Sequence, residues 1–445
     1  VAFFNRYIQQ QANALKGGLY GLILGDAVGR LFEFKAQDRL PAFHEIDIVP
    51  PQHYTPTYPY VPIGTWTDDS AQALALLDSL IQQDGLNLND FSTKLLDWLY
   101  EGKYTPDGVV FDCGIQTRYA LNNIRHGANV EQAAQNDEYA NGNGALMRTL
   151  PIALWHYGDD AQLVRLAIRQ GIPTHGHIRS GVVCALYCLM ARQVIDDTNA
   201  SLDFLDDNLV DYLNETEQTE LEHILNAPQR EKPQGSGYVV DTFWGAIQSC
   251  TSHNNFADVV RAAILLGNDT DTTASVAGGL AGLKYGYDQL PTEWLSHLKG
   301  TVLVEELFAP LERRIIEKIK YEIDLLLERK SFAAQCLAGH LSHEEMEKGF
   351  TVIKDITVKR TFWCNYDYLE FPSNQEFDSV EKISTMTKLE EITAYVTFTN
   401  RADHCCTCWD NDFPSTAWYG VIMSGVFDAI LDKLVEEFNK LKNGL

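Results

Sequence analysis

Two short stretches concentrate oxygen donors. Thr67, Asp68 and Asp69 stand in GTWTDDS, and Asp269, Asp271 and Thr272 stand in GNDTDTTAS. Each precedes a run able to form a helix. Leu74, Leu77 and Ile81 are spaced three and then four residues apart after the first, and a small-residue run with Gly278, Gly279 and Gly282 follows the second. A helix N-cap uses one such side chain, because a Thr or Asp oxygen accepts from the free N–H groups of the first turn. A second carboxylate and a hydroxyl are left over. If a bundle brought the clusters together, four carboxylates and two hydroxyls would share one site, and like charges at close range disfavour joint ionisation. One or two Mg²⁺ or Mn²⁺ ions, bound through oxygen, would relieve that repulsion. Two capped helices packed through glycines are the bland alternative.

The elements that must position these residues are helical. From residue 11 to about 330, periodic Leu, Ile, Val and Ala runs alternate with Gly, Pro, Asn and Asp clusters. Helices are expected to begin near Asn13, Asp69, Leu88, Gly114, Asp160, His177, Thr216, Val240, Phe256 and Thr272. The segment from Phe43 to Trp66 carries Pro50, Pro51, Pro56, Pro59 and Pro62, so it should be an irregular loop leading to Thr67. Residues 301–330 read as a helical connector with interleaved charges. Beyond it, residues 348–371 and 389–400 are rich in β-branched and aromatic residues, which predicts strands. The expected organisation is a helical domain over 1–330 and a smaller α+β module over 335–445.

Composition narrows the function classes. The 35 Lys and Arg against 61 Asp and Glu give a formal charge of −26, which opposes binding to a nucleic-acid backbone. Nine cysteines without regular spacing suit reduced thiols in a cytoplasmic protein. No basic leader or long uninterrupted apolar run is visible, so neither export nor membrane insertion is expected. His404, Cys405, Cys406 and Cys408 lack the paired spacers of common zinc sites, and buried thiols in an aromatic core fit them better. Trp409, Trp418, Tyr419 and Phe427 read equally as core or as a partner surface.

The order GLYGLILGDAVGRLFEF, GTWTDDS, FDCGIQTRYAL, GNGALMRTLPIAL, THGHIRS, GSGYVVDTFWGA and GNDTDTTASVAGGLAGLKYG closely resembles the ADP-ribosylglycohydrolase family, its ADP-ribosylarginine hydrolases in particular. The resemblance covers about residues 12–300. It implies an all-α core with a di-metal cleft that hydrolyses the bond between ADP-ribose and an acceptor, with residues 335–445 as an unrecognised addition. Thr67, Asp68 and Asp69 match one set of metal ligands, and Asp269, Asp271 and Thr272 the other. Glu33 matches a glutamate beside the metals and the reactive ribose. Asp112 matches an aspartate of the chemistry or of substrate positioning; a turn aspartate is its alternative.

Substrate-binding positions follow by the same resemblance. Asn141, Gly142, Asn143 and Gly144 form a loop whose glycines would permit positive φ and close approach to a diphosphate. His175 matches a position near the ligand, whereas His177 reads as an ordinary satisfied histidine. Tyr238 matches an aromatic position near the adenosine end; a core tyrosine is the other reading. Cleavage builds oxocarbenium-like charge, which an acidic cleft suits. The resemblance implies two cations that orient the ribose hydroxyls and lower the pKa of a water, with Glu33 or Asp112 moving protons. Arginine is the expected acceptor, with serine-linked and ester-linked ADP-ribose as alternatives. A modified protein is the expected partner. An immunity protein that occludes an ADP-ribosyltransferase toxin is the competing, non-enzymatic class.

Overall fold

A computed structural model describes residues 2–197, 200–202, 207–358, 380–385, 396, 399 and 417–443. The N-terminal helices are α1 (Ala2–Gly29), α2 (Asp68–Gln83), α3 (Leu88–Glu101), α4 (Ile115–Arg125), α5 (Leu150–Trp155), α6 (Asp160–Gly171) and α7 (Ile178–Asp196). They are followed by α8 (Glu215–Leu225), α9 (Ala227–Arg230), α10 (Val239–Ser252), α11 (Phe256–Ile264), α12 (Thr270–Tyr285), α13 (Thr292–His297) and α14 (Thr301–Leu327). Except at Asn13, whose helix starts at Ala2, each expected start lies within two residues of an observed one. The short α5, α9 and α13 escape periodicity because one or two turns carry too few apolar repeats. Chain contacts group the residues into two compact units, Ala12–Glu312 and Val1–Gln11 with Arg313–Leu445.

Within Ala12–Glu312, the decisive packing is a glycine seam. Gly17, Gly21, Gly25 and Gly29 recur every fourth residue and therefore share one face of α1. A Cβ on Gly21 would lie 2.2 Å from the Gly278 carbonyl oxygen, and one on Gly25 would lie 2.1 Å from that of Ala274. A Cβ on Gly17 would meet the Gly282 oxygen at 2.2 Å, and one on Gly29 the Thr270 oxygen at 2.5 Å. The partners descend along α12 as the glycines ascend α1, so the helices run antiparallel with backbones in contact. The C-terminal end of α1, which leads to Glu33, therefore meets the N-terminus of α12, which carries Asp269 and Asp271. We expect Gly25→Val to destabilise this unit by about 3 kcal/mol or more, because the obstructing atom is backbone and cannot rotate away. A fall in the denaturation midpoint measures it.

The proline-rich segment is non-helical from Ile46 to Trp66, as expected. Prolines contribute carbonyls but no N–H, so such a loop is short of donors. Arg30 supplies them. Its buried guanidinium donates to the carbonyls of Thr65 (2.8 Å) and Pro62 (2.6 Å). That bond pair pins the approach to Thr67. The helix α7 is the one described segment long and apolar enough to cross a membrane, and 89% of its apolar window is buried within the fold.

The other unit corrects one expectation. Residues 348–358, read as the start of a strand, belong to the helix His343–Val358. Phe350, Ile353 and Thr357 are all buried, and their spacing of three and four makes a helical stripe that outweighs β-branched propensity. Val396 and Thr399, in the second strand-like stretch, are also helical, and no strand occurs among the described residues. The rest of those stretches lies outside the described residues, as do Cys364, His404, Cys405, Cys406, Cys408 and Trp409. Trp418 and Phe427 are buried and meet edge to face at 6.3 Å, which makes them core rather than surface.

Candidate metal centre

The first acidic cluster does not cap its helix with a carboxylate. Thr67 is the N-cap of α2, and its Oγ1 accepts from the Asp69 N–H at 3.4 Å. A residue that sequence reasoning missed completes the cap. Asp26, fully buried on α1, accepts from the Thr67 N–H at 3.0 Å, the Ser70 N–H at 3.0 Å and the Ser70 hydroxyl at 2.5 Å. Burial still pushes its carboxyl up to about 6. Asp68 and Asp69 are thereby released from capping. Replacement of Asp26 by alanine should cost about 3 kcal/mol through three stranded donors and weaken divalent-cation binding roughly 10–100-fold, read by denaturation and by calorimetry.

The second cluster behaves alike. Asp269 precedes α12 but makes no side-chain cap bond; its Oδ2 instead accepts from Asn143 Nδ2 at 2.8 Å. The clusters interlock through their hydroxyls. Thr67 Oγ1 donates to Asp271 Oδ2 at 3.4 Å, and Thr272 Oγ1 donates to Asp69 Oδ1 at 3.3 Å. Asp68, Asp69 and Asp271 offer oxygens within 4.8 Å of one another, and so do Glu33, Asp269 and Asp271. Asp271 belongs to both trios, and Glu33 belongs to the second of them.

These carboxylates fit a cation. Asp69 Oδ2 and Glu33 Oε2 are buried without a hydrogen-bond partner, a costly arrangement unless something positive completes it. Burial, with mutual repulsion, pushes Asp68, Asp69 and Asp271 well above the carboxylate range. Glu33 is pushed up to about 10 by burial first and then by Asp112, Asp269 and Asp68. Protons alone would thus neutralise the cluster, and a divalent cation would displace them.

A cavity of about 630 Å³ opens over these groups, a size suited to a small-molecule ligand. Glu33, Asp68, Asp69, Asp112, Asp269, Asp271 and Thr272 line it, as do Gly142, Asn143, Gly144 and His175. Asp112 is half-buried, accepting from its neighbour's Cys113 N–H at 2.7 Å and from the Tyr58 hydroxyl at 3.5 Å. Burial holds its carboxyl above the usual range. The Gly142–Gly144 loop departs from expectation in its means. Neither glycine has positive φ; rather, a Cβ on Gly144 would stand 2.6 Å from the His175 ring. Burial and Arg148 push His175 down to about 3, so it is a neutral imidazole, with Nδ1 paired to Thr174 Oγ1 at 2.8 Å.

Asn141 and Tyr238 are not among the lining side chains. Asn141 Nδ2 donates to the Glu138 carbonyl at 2.8 Å, and the side chain pairs with His177, which caps α7. The Tyr238 hydroxyl accepts from Arg179 at 3.2 Å. The backbone contributes instead: Asn141 O accepts from the Val239 N–H and Asn143 N–H donates to Gly237 O, both at 3.0 Å, which pairs Gly142 with Tyr238 in an antiparallel bridge. Phe34, Cys113, Ile115, Gln116, Thr117 and Met147 also line the cavity. Of these, Gln116 was open to detection, four residues after Asp112 on the first turn of α4. It bonds Ala140 O at 2.8 Å and Gly142 N–H at 3.2 Å.

Comparison with known proteins agrees with this geometry. A family model described as ADP-ribosylglycohydrolase matches residues 8–323. The ADP-ribosylarginine hydrolase Tri1 of Serratia proteamaculans (strain 568) is 30% identical over 305 residues, covering 66% of this chain and 78% of that protein. The ADP-ribosyl-dinitrogen reductase glycohydrolase of Rhodospirillum rubrum is 27% identical over 315 residues, covering 70% and 94%. A solved structure titled ADP-ribosylglycohydrolase-related protein complex superposes with a TM-score of 0.56 at 29% identity, covering 68% of this chain and 99% of that one. The chain belongs to the ADP-ribosylglycohydrolase family of hydrolases.

Proposed function

We propose that the protein is a divalent-cation-dependent hydrolase that releases ADP-ribose from arginine side chains of modified proteins. The observation that carries this reading is the pair of carboxylate trios sharing Asp271, buried except for the half-buried Asp269, with two oxygens left unpartnered. Asp68, Asp69, Asp269 and Asp271 would hold two cations, with Thr67, Thr272 and Glu33 completing them. Bound cations would supply Lewis-acid binding of ribose hydroxyls and cancel the cluster's charge. Mg²⁺ and Mn²⁺ both suit oxygen donors of this kind.

The reaction breaks the bond from the anomeric carbon to the acceptor nitrogen and forms one to water oxygen. The proton lost by water must reach the departing guanidine. Glu33 is the better candidate to move it, because its Oε2 is buried and unengaged, whereas both Asp112 oxygens already accept hydrogen bonds. Asp112, Asn143 and the Gly142–Gly144 backbone would position the sugar and diphosphate, with neutral His175 as a hydrogen-bond partner. Asn141 and Tyr238 would act through the loop they hold. Names of relatives at 30% and 28% identity specify arginine as their acceptor, which supports arginine here. Free thiols at Cys113, Cys184, Cys188, Cys250 and Cys336 support a reducing, cytoplasmic setting.

Release of ADP-ribose from arginine-, serine- and ester-linked substrates, followed chromatographically with Mg²⁺, Mn²⁺ or chelator, tests the reading. Cation-dependent release from the arginine linkage is expected. Release from serine or ester alone would replace the acceptor, and occlusion of a transferase without any turnover would favour an immunity protein.

A further inference from the structure

Phe34 combines a costly backbone with an exposed ring. It has φ +59°, a left-handed backbone that bulky side chains rarely adopt, and its ring is 65% exposed. The conformation is held from outside: Phe34 N–H donates to Asn268 O at 2.6 Å, and Asn268, itself at φ +59°, donates to Lys35 O at 2.7 Å. The consequence is a reversal of side chains at one point of the wall, with Glu33 turned inward and buried and the next ring left bare at the cavity. The ring is backed by Tyr58, edge to face at 6.4 Å, and Tyr58 by Phe111 at 5.1 Å. The Tyr58 hydroxyl is in turn 3.5 Å from Asp112.

One wall of the site therefore combines an exposed aromatic face with two carboxylates, Glu33 and Asp112. That pairing suits a planar, delocalised cation, which can lie on the ring while its N–H groups face oxygen; a serine O-glycoside has neither charge nor plane, and an ester, though planar, has neither charge nor N–H donors. We propose that Phe34, buttressed by Tyr58, is the specificity-determining residue that receives the guanidinium of the modified arginine. The proposal rests on the arginine reading above and names the residue that would enforce it.

Two readouts test it. The first is kcat/KM for arginine-linked and serine-linked substrates in the wild type, Phe34→Leu, Phe34→Trp and Phe34→Gly. Glycine relieves the backbone, so a loss there is not one of folding. The second is calorimetry of agmatine binding to protein loaded with Mg²⁺ and ADP-ribose, alongside the affinity for ADP-ribose itself. Leucine and glycine should lower arginine-linked kcat/KM about tenfold and weaken agmatine to match, tryptophan should retain both, and ADP-ribose affinity should change less than about twofold. An equal loss on both linkages, a parallel loss of ADP-ribose affinity, or agmatine binding indifferent to Phe34 would each overturn it. Phe34-dependent agmatine binding without arginine-linked turnover would sink the hydrolysis reading and leave the guanidinium site standing; turnover with Phe34-independent agmatine binding would do the reverse.

Discussion

Asp271→Asn should abolish turnover while making the cation-free protein more stable. Asp271 is the carboxylate common to both trios, so its loss should weaken both proposed cation positions together. A decline of at least about 10³-fold in kcat/KM is expected, which corresponds to roughly 4 kcal/mol of transition-state stabilisation. The stability effect runs the other way. Asp68, Asp69 and Asp271 are raised well above the usual range, and Glu33 is raised to about 10. The folded protein therefore keeps protons that the unfolded chain releases near pH 4. This contribution is fully present below the unfolded values and is lost as pH rises through the folded ones. In chelator, the wild-type melting temperature should fall between about pH 5 and 9. Asparagine removes one titrating charge from the cluster, so its slope should be shallower and its melting temperature at pH 8 higher, by about 2–4 °C per kcal/mol of repulsion relieved. Saturating Mg²⁺ should abolish the wild-type slope. Thermal scans across pH, with and without cation, read all three effects, and a variant less stable than wild type in chelator at pH 8 would refute the electrostatic account.

Glu33→Gln is the second large effect. The substitution keeps the shape and removes the capacity to transfer a proton, so kcat should fall about 10²–10⁴-fold. Affinity for free ADP-ribose should change far less, because the diphosphate is proposed to rest on other residues and a glutamine oxygen can still face a cation. Asp112→Asn separates the two proton-transfer candidates. Its oxygens are engaged by Cys113 N–H and Tyr58 OH, so a smaller loss, expressed partly in KM, is expected. Single-turnover kinetics of the two variants would invert the assignment if Asp112→Asn proved the more damaging in kcat.

The acidic centre was legible because its signal is local. Adjacent carboxylates with a hydroxyl before a helical run exceed what one cap needs, and the structure resolves that excess by giving the cap to Thr67. Asp26 was hidden for the opposite reason: it caps a helix forty residues away, and no spacing within α1 reveals which side chain will face another helix's first turn. The seam at Gly17, Gly21, Gly25 and Gly29 is written plainly at intervals of four, yet packing is expected from the sequence only for its α12 side, at Gly278, Gly279 and Gly282, and only as the bland alternative. Asn141 and Tyr238 show that motif membership does not fix where a side chain points, since neither side chain lines the cavity and the loop is held by backbone bonds of Asn141, Asn143, Gly237 and Val239. The strand expected at 348–358 failed where propensity and burial period conflicted, and the period of Phe350, Ile353 and Thr357 prevailed.

If cations neutralise the buried carboxylates, they must replace protons there. Calorimetric titration of Mn²⁺ into chelator-stripped protein at pH 7, repeated in buffers of different ionisation enthalpy, measures stoichiometry and proton release together. Two Mn²⁺ per chain should bind with net release of protons, and Asp271→Asn should lose both sites. Absence of binding, or binding with no proton released, would contradict it.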